Sequence, residues 1–232
     1  MAGKTMNTFV YKGERYTIIG VSGDRLPCPQ DFGIDLSSLP NAEEGYGYTS
    51  RFSERDAHLV LVQVLFNCLG PCAMDEAMML NDVKLAPVQH SDLYQDAGID
   101  LPEGFTDQVF GAWYNGVDLE VEFSGGILLG GALLADGTRP LDPKYPFAYH
   151  PVIELIFEAG ELIETADHSE KMLAWRTARK EQDDLRAQKR KELGAEQGMK
   201  FHFSEEIWDE AYRLHPRVEQ RESWKFIREY ED

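Results

Sequence analysis

The chain is short of basic residues, of cysteine and of long apolar runs. Against 41 Asp and Glu it carries 23 Lys and Arg, a formal net charge of −18 over 232 residues. That balance leaves no broad cationic surface to grip a phosphate backbone, so no nucleic acid is expected as partner. An anionic membrane surface is disfavoured for the same reason. No apolar stretch reaches the roughly 18 residues of a membrane-spanning helix, and the N-terminus lacks a signal-like apolar segment. The reading is a cytoplasmic protein without membrane association.

Cysteine is nearly as scarce. Cys28, Cys68 and Cys72 are too few for a disulfide framework, and an odd number. Cys68 and Cys72 are separated by three residues, one more than a thioredoxin-type pair, and no second close pair completes a zinc site. Reduced structural thiols are expected, with no metal and no cofactor. Catalytic signatures are missing too: no phosphate-binding loop, no G-x-G-x-x-G after a strand, no nucleophile elbow and no H-E-x-x-H. The glycines of Gly125-Gly126 and Gly130-Gly131 are followed by no Lys-Ser/Thr, which argues against a phosphate cradle.

What is present is organised unevenly. Residues 1–167 hold 9 basic and 26 acidic side chains, while residues 168–232 hold 14 and 15. A strongly anionic body is thus followed by a nearly balanced extension. Within the body, residues 10–23 align with residues 113–126 at a constant offset of 103, matching Tyr11 with Tyr114, Gly13 with Gly116 and Gly23 with Gly126. Lys12-Gly13 and Asn115-Gly116 both suit a two-residue hairpin turn, where positive φ is needed. The alternating runs 57–64 and 150–157 follow as closing strands, and 158–161 turns the second into 162–164. The stretch 75–80, with Met74, Met78 and Met79 as core, suits a short helix, and residues 83–89 alternate like a strand. Past Asp167, a capping pair with Glu170 opens a long helix to about Leu193; Ser204 can cap another.

The expected architecture is therefore α+β: two duplicated antiparallel β units followed by a charged C-terminal helical segment. Its boundaries are a first β unit at 1–66, a connecting segment with a short helix at 67–105, a second β unit at 106–167 and a helical extension at 168–232.

The sharpest local pattern is the strand 117–123. Period-two alternation puts Leu119, Val121 and Phe123 on one face and Asp118, Glu120 and Glu122 on the other. Carboxylates spaced along a strand diverge rather than converge, which suits a basic protein surface better than a metal ion. The loop 37–52 adds Glu43, Glu44, Tyr46 and Tyr48, a mixture that protein interfaces favour. Those seven residues are the candidate partner-binding set. His58 and His150 stand at comparable places before the two closing strands; with Glu154 and Asp31 they would line a catalytic or ligand-binding cleft between the two β units.

Residues 152–164, with Asp167 and Ser169 behind them, resemble a segment of uncharacterised bacterial β-rich proteins of the toxin-immunity type. Residues 26–34 add to that resemblance. It implies a small acidic protein that neutralises a toxin, often a nuclease, and it assigns no residue a role. The leading expectation is a non-enzymatic immunity or inhibitor protein for a basic partner such as a toxin. The alternative is an enzyme or small-ligand protein using the cleft. A third reading makes the helical extension the interaction element.

Overall fold

The computed structural model describes residues 7–35, 47–66, 79–102, 105, 107, 109–136, 139–140, 143 and 145–193. Strands run β1 (Thr8–Tyr11), β2 (Glu14–Val21), β3 (Tyr48–Arg55), β4 (His58–Phe66), β5 (Met79–Leu80), β6 (Val83–Lys84) and β7 (Ala86–Gln89). After the short helix α1 (His90–Asp96) come β8 (Val109–Glu120), β9 (Gly125–Leu133), β10 (Ala135–Asp136), β11 (Arg139–Pro140), β12 (Tyr149–Glu158) and β13 (Glu161–Asp167). The long helix α2 (Ser169–Leu193) closes the described chain. Nine strands follow one another by hydrogen bonding in the order β13-β12-β9-β2-β1-β3-β4-β8-β7.

This corrects the expected fold class. Among the described residues strands take 52% and helices 21%, with two α-helices, so this part of the chain is mostly β rather than α+β. Nor are there two duplicated antiparallel β units. The first-half strands stay together as β2-β1-β3-β4, but β8 joins them beside β4 while β9, β12 and β13 lie beyond β2. The pairing of β1 with β3 is parallel.

The repeat fails for a local reason. Lys12 and Gly13 take φ of 52° and 84° and form the expected hairpin turn between β1 and β2. The chain through Asn115-Gly116 does not reverse. It stays in β8, and both sides of it pair with β4, as Leu61↔Leu119 and Gln63↔Asn115. Residues 116–118 therefore stand opposite Val62 alone, and Gly116 and Asp118 take φ of 75° and 51° within the resulting bulge. Asn81 donates from Nδ2 to the carbonyls of Val117 (2.7 Å) and Asp118 (3.2 Å), occupying oxygens the ladder leaves over. Turn-prone residues made a bulge because a partner strand was present on both sides of them.

Two compact units divide the chain. One comprises Met1–Ile18, Asp24–Ser124 and Phe157–Ile163. Its interior is aromatic: Phe123 and Phe157 meet edge-on at 6.2 Å, Phe9 lies 6.5 Å from Phe157, and Phe66 meets Tyr114 at 6.0 Å. Strand β4 has six of its nine residues buried, with only His58 exposed at its start and Val62 and Leu65 partly covered, leaving Leu59, Val60, Leu61, Gln63, Val64 and Phe66 inside. The simple alternation expected there is lost because both of its faces are covered.

The other unit comprises Ile19–Gly23, Gly125–Ile156 and Glu164–Asp232. Here Leu128, Phe147, Tyr149, Val152 and Met172 form one cluster, with Trp175 packed against it. Helix α2 begins where the capping residues predict. Asp167 Oδ1 accepts from the Ser169 amide at 2.8 Å, and Ser169 Oγ accepts from Val152 N at 3.1 Å. Its first turns are pinned to the unit. Arg176 donates to the carbonyls of Phe147 and Tyr149, and Arg179 lies over the Phe147 ring.

The stretch expected to be strand at 83–89 breaks at Leu85 into β6 and β7, and α1 follows with no forecast. Met79, expected in a helix and in the core, lies in β5 and is 48% exposed. Met74, Met78, Cys68, Cys72, most of the expected helix 75–80 and the helix from Ser204 lie outside the described residues. Among the described residues no helix is long and apolar enough to cross a membrane.

Candidate functional site

Asp118, Glu120 and Glu122 are all exposed, while Val117, Val121 and Phe123 between them are buried and Leu119 is half-buried. The alternation therefore runs as read, although β8 itself ends at Glu120. The bulge turns Asp118 outward, and its carboxylate pairs with Arg55 at 2.6 Å.

Several turns meet the end of this acidic row. Val121 N donates to Leu59 O, and Leu59 N donates to Gly160 O. Gly160 N reaches Phe123 O, Leu162 N reaches Ala57 O, and Glu161 pairs with His58. Asp24 N donates to Ser124 O, the Asp24 carboxylate accepts from Ser124 N at 2.9 Å, and Ser124 Oγ accepts from Ala159 N at 2.9 Å. The β3–β4 turn, the segment after β8 and the β12–β13 turn are thus stitched together by main-chain bonds.

That stitching brings Asp24, Asp56, Glu158 and Glu161, all exposed, into the same end of the unit as Asp118, Glu120 and Glu122. Sequence reading missed those four. Each is an ordinary turn or hairpin carboxylate, and only long-range pairing makes them neighbours. Basic groups close by include Arg55, bound to Asp118, and His58, whose Nδ1 lies 2.9 Å from the carbonyl of Asp56. Close approach makes Gly160 necessary. At φ 86° it presses against the segment after β8, and a Cβ there would stand 2.6 Å from Val121 O.

The tyrosine loop is only partly placed. Glu43, Glu44 and Tyr46 lie outside the described residues. Tyr48 opens β3 and is half-buried, and burial first, then the influence of Cys28 and Asp31, raises its phenol above the ordinary range. It stands beside a compact turn in which Asp31 accepts from both Arg25 terminal nitrogens (2.7 and 2.5 Å) and from Cys28 N (2.8 Å). The Arg25 hydrogen bonds, followed by the Cys28 amide, hold Asp31 far below the usual carboxylate range.

His58 and Asp31 belong to one unit, His150 and Glu154 to the other. Glu154 is buried on β12, and its Oε2 lies 3.0 Å from Nε2 of buried His168 at the foot of α2. Gly126 opposite leaves room for the carboxylate, since a Cβ there would stand 3.2 Å from Glu154 Oε1. That pair fastens the start of α2 to its strand. Among the described residues no group of three or more His, Cys, Asp or Glu is arranged to hold a metal ion.

No family model, no curated protein and no solved structure matches this chain.

Proposed function

We propose that the protein is a non-enzymatic, acidic binding protein of the immunity or inhibitor class, and that its carboxylate-rich end covers a basic surface on a protein partner such as a nuclease toxin. The observation that carries this reading is the main-chain stitching of three turns against the acidic row. It presents Asp118, Glu120, Glu122, Asp24, Asp56, Glu158 and Glu161 from one end of one unit. Like charges gathered this way repel one another, so the arrangement costs stability in the free protein unless solvent or a partner's cations meet it. A basic active site, built to hold phosphate, supplies those cations.

Pre-organisation favours the same reading. The carboxylates sit on hydrogen-bonded turns, so little backbone order remains to be gained on docking. Tyr48, grouped with these carboxylates in the sequence, opens β3 at the end opposite the β3–β4 turn and so stands away from this row.

The test is affinity capture from host lysate with two baits, wild type and Glu120→Lys/Glu122→Lys, each at low and high salt. The wild-type bait is expected to retain a basic protein at low salt that high salt releases and the charge-reversed bait never holds. Identical captures on both baits would sink the proposal.

A further inference from the structure

A second charged constellation, far simpler, lies in the same unit on the outer face of β1–β3. Register places Thr8 of β1 beside Arg51 of β3 and Val10 beside Arg15 of β2, so both arginines share the face opposite buried Phe9 and Tyr11. Their guanidinium groups converge on one carboxylate, that of Asp96 at the end of α1. Arg51 Nη1 and Nη2 donate to Oδ1 and Oδ2 at 2.8 and 2.5 Å. Arg15 Nη2 donates to the Asp96 carbonyl at 2.6 Å and lies 3.2 Å from Oδ2.

We propose that Arg15 and Arg51 form an oxyanion-binding site, for a phosphate or carboxylate group, that Asp96 occupies from within the chain and that α1 closes as a latch. Two observations point this way. First, α1 has no buried residue, and its ring contacts, Tyr94 and His90 with Phe105, stay within its own neighbourhood. The arginine clamp is thus a main tie between this helix and the sheet. Second, the clamp is incomplete. Arg51 is 14% exposed, and its Nε is buried without an acceptor, because the carboxylate engages the two terminal nitrogens end-on. A tetrahedral oxyanion carries further oxygens with which it could serve Nε as well.

Helix polarity also disfavours the present occupant. An acidic side chain at a helix C-terminus faces the negative end of the dipole. The position of Asp96 therefore follows from the arginines and not from α1. A free oxyanion that displaced it would release α1 and leave the exposed Ile99 and Leu101 behind it free to move. Ligand binding and latch opening are then the same event.

The test uses the full chain with Asp96→Asn, which keeps the side-chain shape and removes its charge, and inorganic phosphate as probe at low ionic strength. Titration calorimetry is expected to show saturable binding to D96N about tenfold tighter than to wild type or more, and none once Arg51→Met is added. Equal heats for D96N and the double variant would overturn the proposal. Amide exchange on the wild-type protein is independent of how any variant folds. Phosphate should speed exchange in α1 while β3 and β4 stay unchanged, and an α1 indifferent to phosphate would overturn the proposal equally.

Discussion

At Asp96, burial alone would raise the carboxyl pKa, but Arg51 and then Arg15 outweigh it and hold the group below its ordinary value of 3.8. A carboxylate lowered on folding contributes stability above its unfolded pKa and loses it as pH falls through the folded one. Wild type should therefore exceed D96N in stability at neutral pH, and the difference should shrink as pH falls below that ordinary value and vanish once pH passes below the lowered folded one. Urea melts of both proteins across the acid range would show it. A difference independent of pH would mean the clamp does not carry the charge. The buried Glu154–His168 pair carries a larger effect. His168→Ala removes the imidazole that faces a buried carboxylate, and the expected loss is about 3 kcal/mol by chemical denaturation. A loss under about 1 kcal/mol would show that the site relaxes or hydrates freely. The sequence holds no sign of this contact, since fourteen residues separate the partners and only the meeting of β12 with the foot of α2 joins them. The acidic row was legible, by contrast, because a period of two needs no partner strand to be read.

Among the elements, turns decide what the protein presents to solvent. Lys12-Gly13 and Ala159-Gly160 both take positive φ, yet their surroundings differ. A Cβ at Gly13 meets nothing within 4 Å, whereas one at Gly160 meets Val121 O at 2.6 Å. Gly13→Ala should cost only the conformational penalty, roughly 1 kcal/mol. Gly160→Ala adds a backbone clash and should cost roughly 2 kcal/mol or more. Thermal melts of the two variants separate the contributions, and equal losses would mean that the β12–β13 turn is not packed against the segment after β8. The hairpin at 12–13, the turn at 158–161 and the start of α2 were all legible, because turn and capping chemistry is local. Asn115-Gly116 was misread for the same reason in reverse: its residues specify positive φ, and only the partner β4, running past on both sides, decides between hairpin and bulge. The parallel pairing of β1 with β3 joins segments forty-odd residues apart (Thr8 with Arg51), and no local pattern encodes it.

For the whole molecule, charge is the property with reach. A net −18 concentrated before Asp167 creates a field that accelerates encounter with a basic partner and weakens as salt rises. Local sequence could show the charge but not its focus, since the four carboxylates contributed by turns join the acidic row through pairings between distant segments. Once a basic partner is in hand, the most direct measurement is its association rate constant, by stopped flow, with wild type and with Glu120→Lys/Glu122→Lys, over a range of salt. The account predicts a rate for wild type at least about tenfold above the variant at low salt, the two converging as salt screens the field. Equal rates at low salt, with equal affinity, would contradict it and remove the acidic end from the binding surface.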